Sequence, residues 1–137
     1  MLREAAAAAD GEAAVLAALR KAEQGVAPEN RQHQMGWVLL ALQNAFFHLA
    51  AGTDTESALI RTVGAGGDTD TNAAIAGALL GAAQGRSAFP TRWTMAVLTC
   101  RPDAGLPNHR PRPEMYWPDD LIDLAEALLM SQPRYRV

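Results

Sequence analysis

At 137 residues the chain has the length of one domain, enough to bury a real core. With 49% of its residues apolar it is not a disordered segment, and a net charge of −3 leaves no basic face for nucleic acid. The single cysteine excludes an intramolecular disulfide, and no apolar run reaches the roughly 18 residues that cross a membrane.

Residues 1–10 are alanine-rich, with a frayed look and no clear period. Residues 12–24 read as a helix with Val15, Leu16 and Leu19 on its apolar stripe, stopped by Gly25. A polar connector with Pro28 and Asn30 leads to Met35–Ala51. There Met35, Val38, Leu39, Leu42, Phe46 and Leu49 recur at three- and four-residue spacing. This helix is apolar nearly all round and is expected in the interior. His48 on it is expected to be a core or rim histidine with its hydrogen bonds satisfied, not a metal ligand, because no second ligand lies one turn away.

Thr53-Asp54-Thr55-Glu56 reads as a capping box, Glu56 standing three residues after Thr53. The helix it opens runs to Val63, with Ala58, Leu59 and Val63 inward, and breaks at Gly64. The next helix runs from about Thr71 to Gln84 and ends at Gly85. Its small residues Ala73, Gly77 and Gly81 recur every four positions, which predicts close approach of another backbone.

Pro90 or Thr91 opens a short helix to Leu98, with Trp93 and Val97 as its apolar pair. Cys100 follows it and is expected to be a small core residue, not a nucleophile. Residues 99–117 hold four prolines and read as an extended loop, with a solvated basic patch of Arg101, His109, Arg110 and Arg112. Pro118 suits the first turn of a last helix ended by Pro133. Leu121, Leu124, Ala125, Leu128 and Leu129 are its expected buried stripe. No strand signal and no internal repeat occur, so the expected class is all-α with about six helices. The N-terminal Met1-Leu2-Arg3-Glu4 lacks the charge pattern of a secretory signal, and a cytoplasmic location is expected.

The chemistry concentrates in Gly64-Ala65-Gly66-Gly67-Asp68-Thr69-Asp70-Thr71-Asn72, followed at once by small and apolar residues. Glycines free the backbone to turn and to be approached closely. Two carboxylates two residues apart do not share a helix face, but in an irregular loop they can converge. Hard oxygens at this density suit Mg²⁺, Mn²⁺ or Ca²⁺. Helix capping is the competing reading, since Asp, Thr and Asn are preferred at N-caps and carboxylates complement the positive end of a helix. One aspartate is fully explained that way; two, with two threonines and an asparagine, exceed what capping needs. An EF-hand loop does not fit, because its glycine position falls on Ala73 and its terminal glutamate position on Leu79. Nor does a dinucleotide loop, whose third glycine would fall on Thr69 with no strand before it.

The unbroken run at residues 66–82, Gly-Gly-Asp-Thr-Asp-Thr-Asn-Ala-Ala-Ile-Ala-Gly-Ala-Leu-Leu-Gly-Ala, resembles the C-terminal signature of the ADP-ribosylglycohydrolase family, which includes the dinitrogenase-reductase-activating glycohydrolases. Gly36-Trp37-Val38, Leu42 and Ala45-Phe46 before it, and Pro90 and Trp93 after it, agree. The resemblance implies a compact all-α fold with up to two Mg²⁺ (or Mn²⁺) ions in a cleft. It also implies hydrolysis of the glycosidic bond joining ADP-ribose to a protein side chain or small molecule. By resemblance the metal ligands are Asp68, Asp70 and Thr71, and Gly66, Gly67 and Asp68 border the substrate. The family's earlier half carries Gly-Asp-x-Leu-Gly and Thr-Asp-Asp-Thr, and neither motif occurs here. The chain therefore reads as a single, partial domain of that family, with no catalytic acid or base that can be named. Two functions follow as expectations. One is a glycohydrolase completed by its missing half, through self-association or a partner chain. The other is an incomplete relative that binds ADP-ribose or metal, or serves in assembly.

Overall fold

In the computed structural model, which describes residues 2–29, 31–105, 107 and 110–131, the chain is all-helical. Seven α-helices are present among the described residues: α1 Leu2–Ala8, α2 Ala13–Glu23, α3 Val38–Ala50, α4 Thr55–Gly64, α5 Thr69–Gln84, α6 Thr91–Leu98 and α7 Leu121–Ser131. Short 3₁₀ turns lie at Arg86–Ala88, Glu114–Tyr116 and Pro118–Asp120. The chain divides into two compact units, Met1–Phe89 and Pro90–Val137.

In the first unit α3 is the central rod, packed on α2 and on α5, and α4 packs on α5. Leu19, Ala22 and Phe46 are buried together, with Leu42, Phe47, Leu49 and Leu79 leaning on them. The alanine-rich start is not frayed but helical, because Leu2, Ala5 and Ala6 of α1 pack on that cluster. The expected early start of α3 is corrected. Gly36 takes φ +77°, outside the helical range, so the helix begins at Val38 with Trp37 as its N-cap. Met35 and Val38, expected inside, are 62% and 68% exposed.

The cap of α4 is also shifted by one residue. Asp54, not Thr53, is the N-cap, and its carboxylate accepts the Ser57 N–H at 2.9 Å. The Thr53 carbonyl instead accepts from Gln84 Nε2 at 2.9 Å, while the buried Thr55 hydroxyl donates to Gln84 Oε1 at 2.9 Å. Ala58 faces inward as expected; Val63 is 52% exposed. The small-residue stripe of α5 admits a ring, not a backbone. A Cβ at Gly81 would stand 2.9 Å from Phe89 Cε2, and one at Gly77 3.6 Å from Leu59 Cδ2.

In the second unit no residue of α6 or α7 is fully buried. The expected stripe of α7 faces outward, along with Val97 of α6 and the exposed Cys100. Helical spacing shows which side chains share a face; it does not supply the element that covers them. The proline-rich loop is stitched more than its composition suggests. The Arg112 N–H donates to the Pro102 carbonyl at 2.9 Å, and Trp117 Nε1 donates to the Arg112 carbonyl at 3.1 Å. Arg101 is not part of a solvated patch. It pairs with Asp119, lies over the Trp117 ring and donates to the Leu98 and Cys100 carbonyls. His109 and Pro133 lie outside the described residues.

Candidate functional site

The loop expected to carry the chemistry joins α4 to α5. Gly64 is the last residue of α4, and the Ala65 N–H closes its final turn on the Arg61 carbonyl at 3.0 Å. Gly66 and Gly67 then take φ +79° and +76°, conformations that side-chain-bearing residues rarely adopt. Their lack of a side chain is used a second time. A Cβ at Gly67 would overlap the carbonyl oxygen of Arg31, and one at Gly66 would stand 2.5 Å from Gln32 Nε2. The connector before α3 is laid directly onto the glycines of the loop.

Asp68 follows as the N-cap of α5, yet its side chain makes no capping hydrogen bond. Its carbonyl accepts the Asn72 N–H at 3.1 Å, so α5 is under way at once. The carboxylates of Asp68 and Asp70 come together. Asp68 lies within hydrogen-bonding reach of Asp70, and this pairing, then the N–H groups of Thr71 and of Asp70 itself, holds the Asp70 carboxyl below its ordinary value. The two roles weighed from sequence are thereby divided. Asp70 partly satisfies the open N–H groups of the first turn, while Asp68 occupies the cap position without capping. Asp70 and Thr71 are exposed, and Asp68 and Thr69 are half-buried.

Two carboxylates in contact repel unless a proton or a cation stands between them. Their hard oxygens, with the Thr71 hydroxyl in the same turn, are the donor type that Mg²⁺ or Mn²⁺ takes. Among the described residues no group of three or more His, Cys, Asp or Glu is placed to hold a metal ion. The donors present therefore fit one hydrated cation and not a closed two-metal cage.

Beneath the loop runs a buried polar chain that local spacing does not reveal. Arg31 Nη2 donates to Asn44 Oδ1 at 3.0 Å, and Asn44 Nδ2 donates to Thr62 Oγ1 at 3.0 Å. Asn44 is 0% and Thr62 1% exposed. The partners lie 13 and 18 residues apart in sequence. An asparagine inside the apolar run of α3 was the available signal. His48 is buried nearby, as expected, but its Nδ1 has no partner among the described residues, nor has the buried Arg31 Nη1. Burial, then the charges of Arg31 and Arg61, push the His48 imidazole below its usual pKa. The expectation that this histidine has its hydrogen bonds satisfied is therefore corrected at Nδ1, and its burial favours the neutral form.

A cavity of about 310 Å³ opens between the connector and α3. Trp37 forms an aromatic wall, with Glu29, Gln34 and Gln43 supplying polar groups. Gln43 is itself fixed by donating to the Val26 carbonyl at 2.9 Å.

A family model described as ADP-ribosylglycohydrolase matches residues 1–136. Comparison with curated proteins gives no match, and comparison with solved structures gives none. None of the helices, within the described residues, is long and apolar enough to cross a membrane.

Proposed function

Because the chain belongs to the ADP-ribosylglycohydrolase family, we propose that it contributes the Asp68–Asp70–Thr71 part of a Mg²⁺- or Mn²⁺-dependent site. That site would hydrolyse the glycosidic bond between ADP-ribose and a protein side chain or small molecule. The observation that carries this reading is the meeting of the Asp68 and Asp70 carboxylates at the mouth of α5, with Asp68 unused as a cap. A bound cation would supply positive charge for gripping ribose hydroxyls and for acidifying a water. Asp68 and Asp70 would hold it with anionic oxygens and Thr71 with a neutral one. Asp68, and then the N–H groups of Thr71 and of Asp70 itself, hold the Asp70 carboxyl below its ordinary value, which favours the anionic form that a cation takes. The space a side chain would take at Gly66 and Gly67 is filled by Gln32 and Arg31. Contact of those glycines with the substrate therefore falls to their backbone. The Trp37 cavity, with a flat aromatic wall and amide groups, suits the purine of the same ligand.

Glycoside cleavage also needs an acid or base opposite the departing group. Among the described residues no such group is placed at this site, so the reading includes completion by another chain, or by a second copy, that brings more carboxylates. The exposed apolar residues of α7 support such an association. The lack of a third acidic ligand among the described residues favours a second reading, an ADP-ribose-binding or assembly module without turnover.

Incubation with ADP-ribosylated arginine and Mn²⁺, with and without EDTA, separates the two. Metal-dependent release of ADP-ribose supports the hydrolase. Binding of Mn²⁺ and ADP-ribose by calorimetry without release supports the module. Absence of both leaves neither standing.

A further inference from the structure

We infer that Arg31, Asn44 and Thr62 form a positioning relay that sets the Gly66–Asp68 turn and so aims the Asp68 carboxylate; the cation-aiming part rests on the metal reading above. The relay reaches the loop at both flanks. Thr62 stands two residues before Gly64, on the last turn of α4. Arg31 lies over the apex, its main-chain carbonyl filling the place where a Cβ of Gly67 would stand, while the side-chain amide of Gln32 stands against the corresponding place at Gly66. The Arg31 guanidinium is anchored by Asn44 Oδ1, and Asn44 passes its amide to Thr62 Oγ1. One fully buried side chain on the central helix α3 therefore ties the connector to the helix that leads into the loop.

The chemistry of the relay argues for positioning over simple packing. Apolar side chains of similar size would fill the same space without desolvating a guanidinium, and such replacements are often neutral or stabilising. Hydrogen bonds add direction. Asn44 satisfies one donor and one acceptor at fixed angles, which permits one arrangement of connector and α4, where an apolar contact permits several. The segments so fixed are those that bracket Asp68.

The triple variant Arg31→Met, Asn44→Leu, Thr62→Val removes the relay and leaves no relay partner unpaired. It is expected to keep wild-type helicity and a cooperative melt. Its amides at positions 66–69 should exchange with solvent at least 10-fold faster, without change in the amides of α2 and α3. Its Mn²⁺ dissociation constant should rise at least 10-fold. Asn44→Asp alone keeps an acceptor for Arg31 and one for the Thr62 hydroxyl, and is expected to leave both the exchange rates and the Mn²⁺ dissociation constant within a few-fold of wild type. A folded triple variant that exchanges at the wild-type rate overturns the relay. So does Asn44→Asp behaving like the triple. Should the triple not fold, Gly67→Ala, whose Cβ displaces the Arg31 carbonyl, must give the same faster exchange at positions 66–69; wild-type exchange there overturns the proposal equally. If the wild-type chain takes no Mn²⁺, the metal reading falls, while the exchange rates still decide whether the relay holds the turn.

Discussion

An imidazole sealed from water favours its neutral form, and His48 is only 2% exposed. Its pKa is pushed below the ordinary value near 6.5, first by burial and then by Arg31 and Arg61. The unfolded chain then takes up a proton at a pH where the folded one does not. Stability conferred by the neutral histidine is whole above about pH 6.5, and is lost as pH falls towards the lowered folded value. Urea midpoints are expected to drop from pH 7 to pH 5.5, and His48→Leu should flatten much of that slope. Equal slopes for the two proteins would place the titration elsewhere. At the site itself, Asp68→Asn with Asp70→Asn is expected to abolish Mn²⁺ binding measured by calorimetry; undiminished binding would put the ligands on other residues. Trp37 offers a face on which stacking is worth about 1–3 kcal/mol per base. Trp37→Ala should therefore weaken ADP-ribose binding roughly 5- to 150-fold, and an unchanged affinity would remove the purine from that cavity. At this scale the acidic pair was legible because its residues are neighbours in sequence. The Arg31–Asn44–Thr62 chain was not, because its members meet only after three separate segments have packed.

Helix α5 shows why elements were easier to read than their surroundings. Its glycine start, its polar first turn and its end at Gly85 follow from local rules, and the observed bounds Thr69–Gln84 lie within two residues of the expected ones. What fills its stripe of small residues is not local. Phe89 arrives from beyond the 3₁₀ turn at Arg86–Ala88 and lays its ring on Gly81. The two glycines should respond differently to alanine. At Gly77 the new methyl meets Leu59 at ordinary contact distance, so the helix-propensity gain of about 1 kcal/mol dominates and stability rises. At Gly81 the methyl stands 2.9 Å from the Phe89 ring, and overpacking of about 1–3 kcal/mol offsets or exceeds the same gain. Thermal melts should therefore rank Gly77→Ala above wild type and Gly81→Ala at or below it. The reverse ranking would mean that Phe89 does not hold this position. Helix α1 escaped prediction for the complementary reason. Alanines give no contrast between faces, so its assignment depends on Leu2, Ala5 and Ala6 finding the Leu19–Phe46 cluster.

For the whole molecule the question is what the outward apolar side chains are for. Single exposed hydrophobic residues need no explanation, whereas a row of them does. On α7, Leu121, Leu124 and Leu128 stand at the spacing of one helical face and are 44%, 51% and 56% exposed. Leu129 and Met130 extend the apolar surface at 76% and 88%. Burying one large apolar side chain is worth about 1.5–3 kcal/mol, so covering several of them gives association a substantial driving force, reduced by the entropy of joining two bodies. The same association is what the proposed chemistry needs, since two carboxylates and a hydroxyl leave a two-ion site short of ligands. We therefore expect the purified chain to run as a dimer or larger species in light scattering at micromolar concentration, or to do so once a chain carrying additional acidic motifs is added. Leu128→Glu with Leu129→Glu should return it to a monomer with its helicity unchanged and, if the partner completes the site, with hydrolysis lost while Mn²⁺ binding at Asp68 and Asp70 persists. A wild-type chain that is monomeric alone and hydrolyses ADP-ribosylated arginine in that state would sink the idea of completion and require a catalytic acid within these 137 residues.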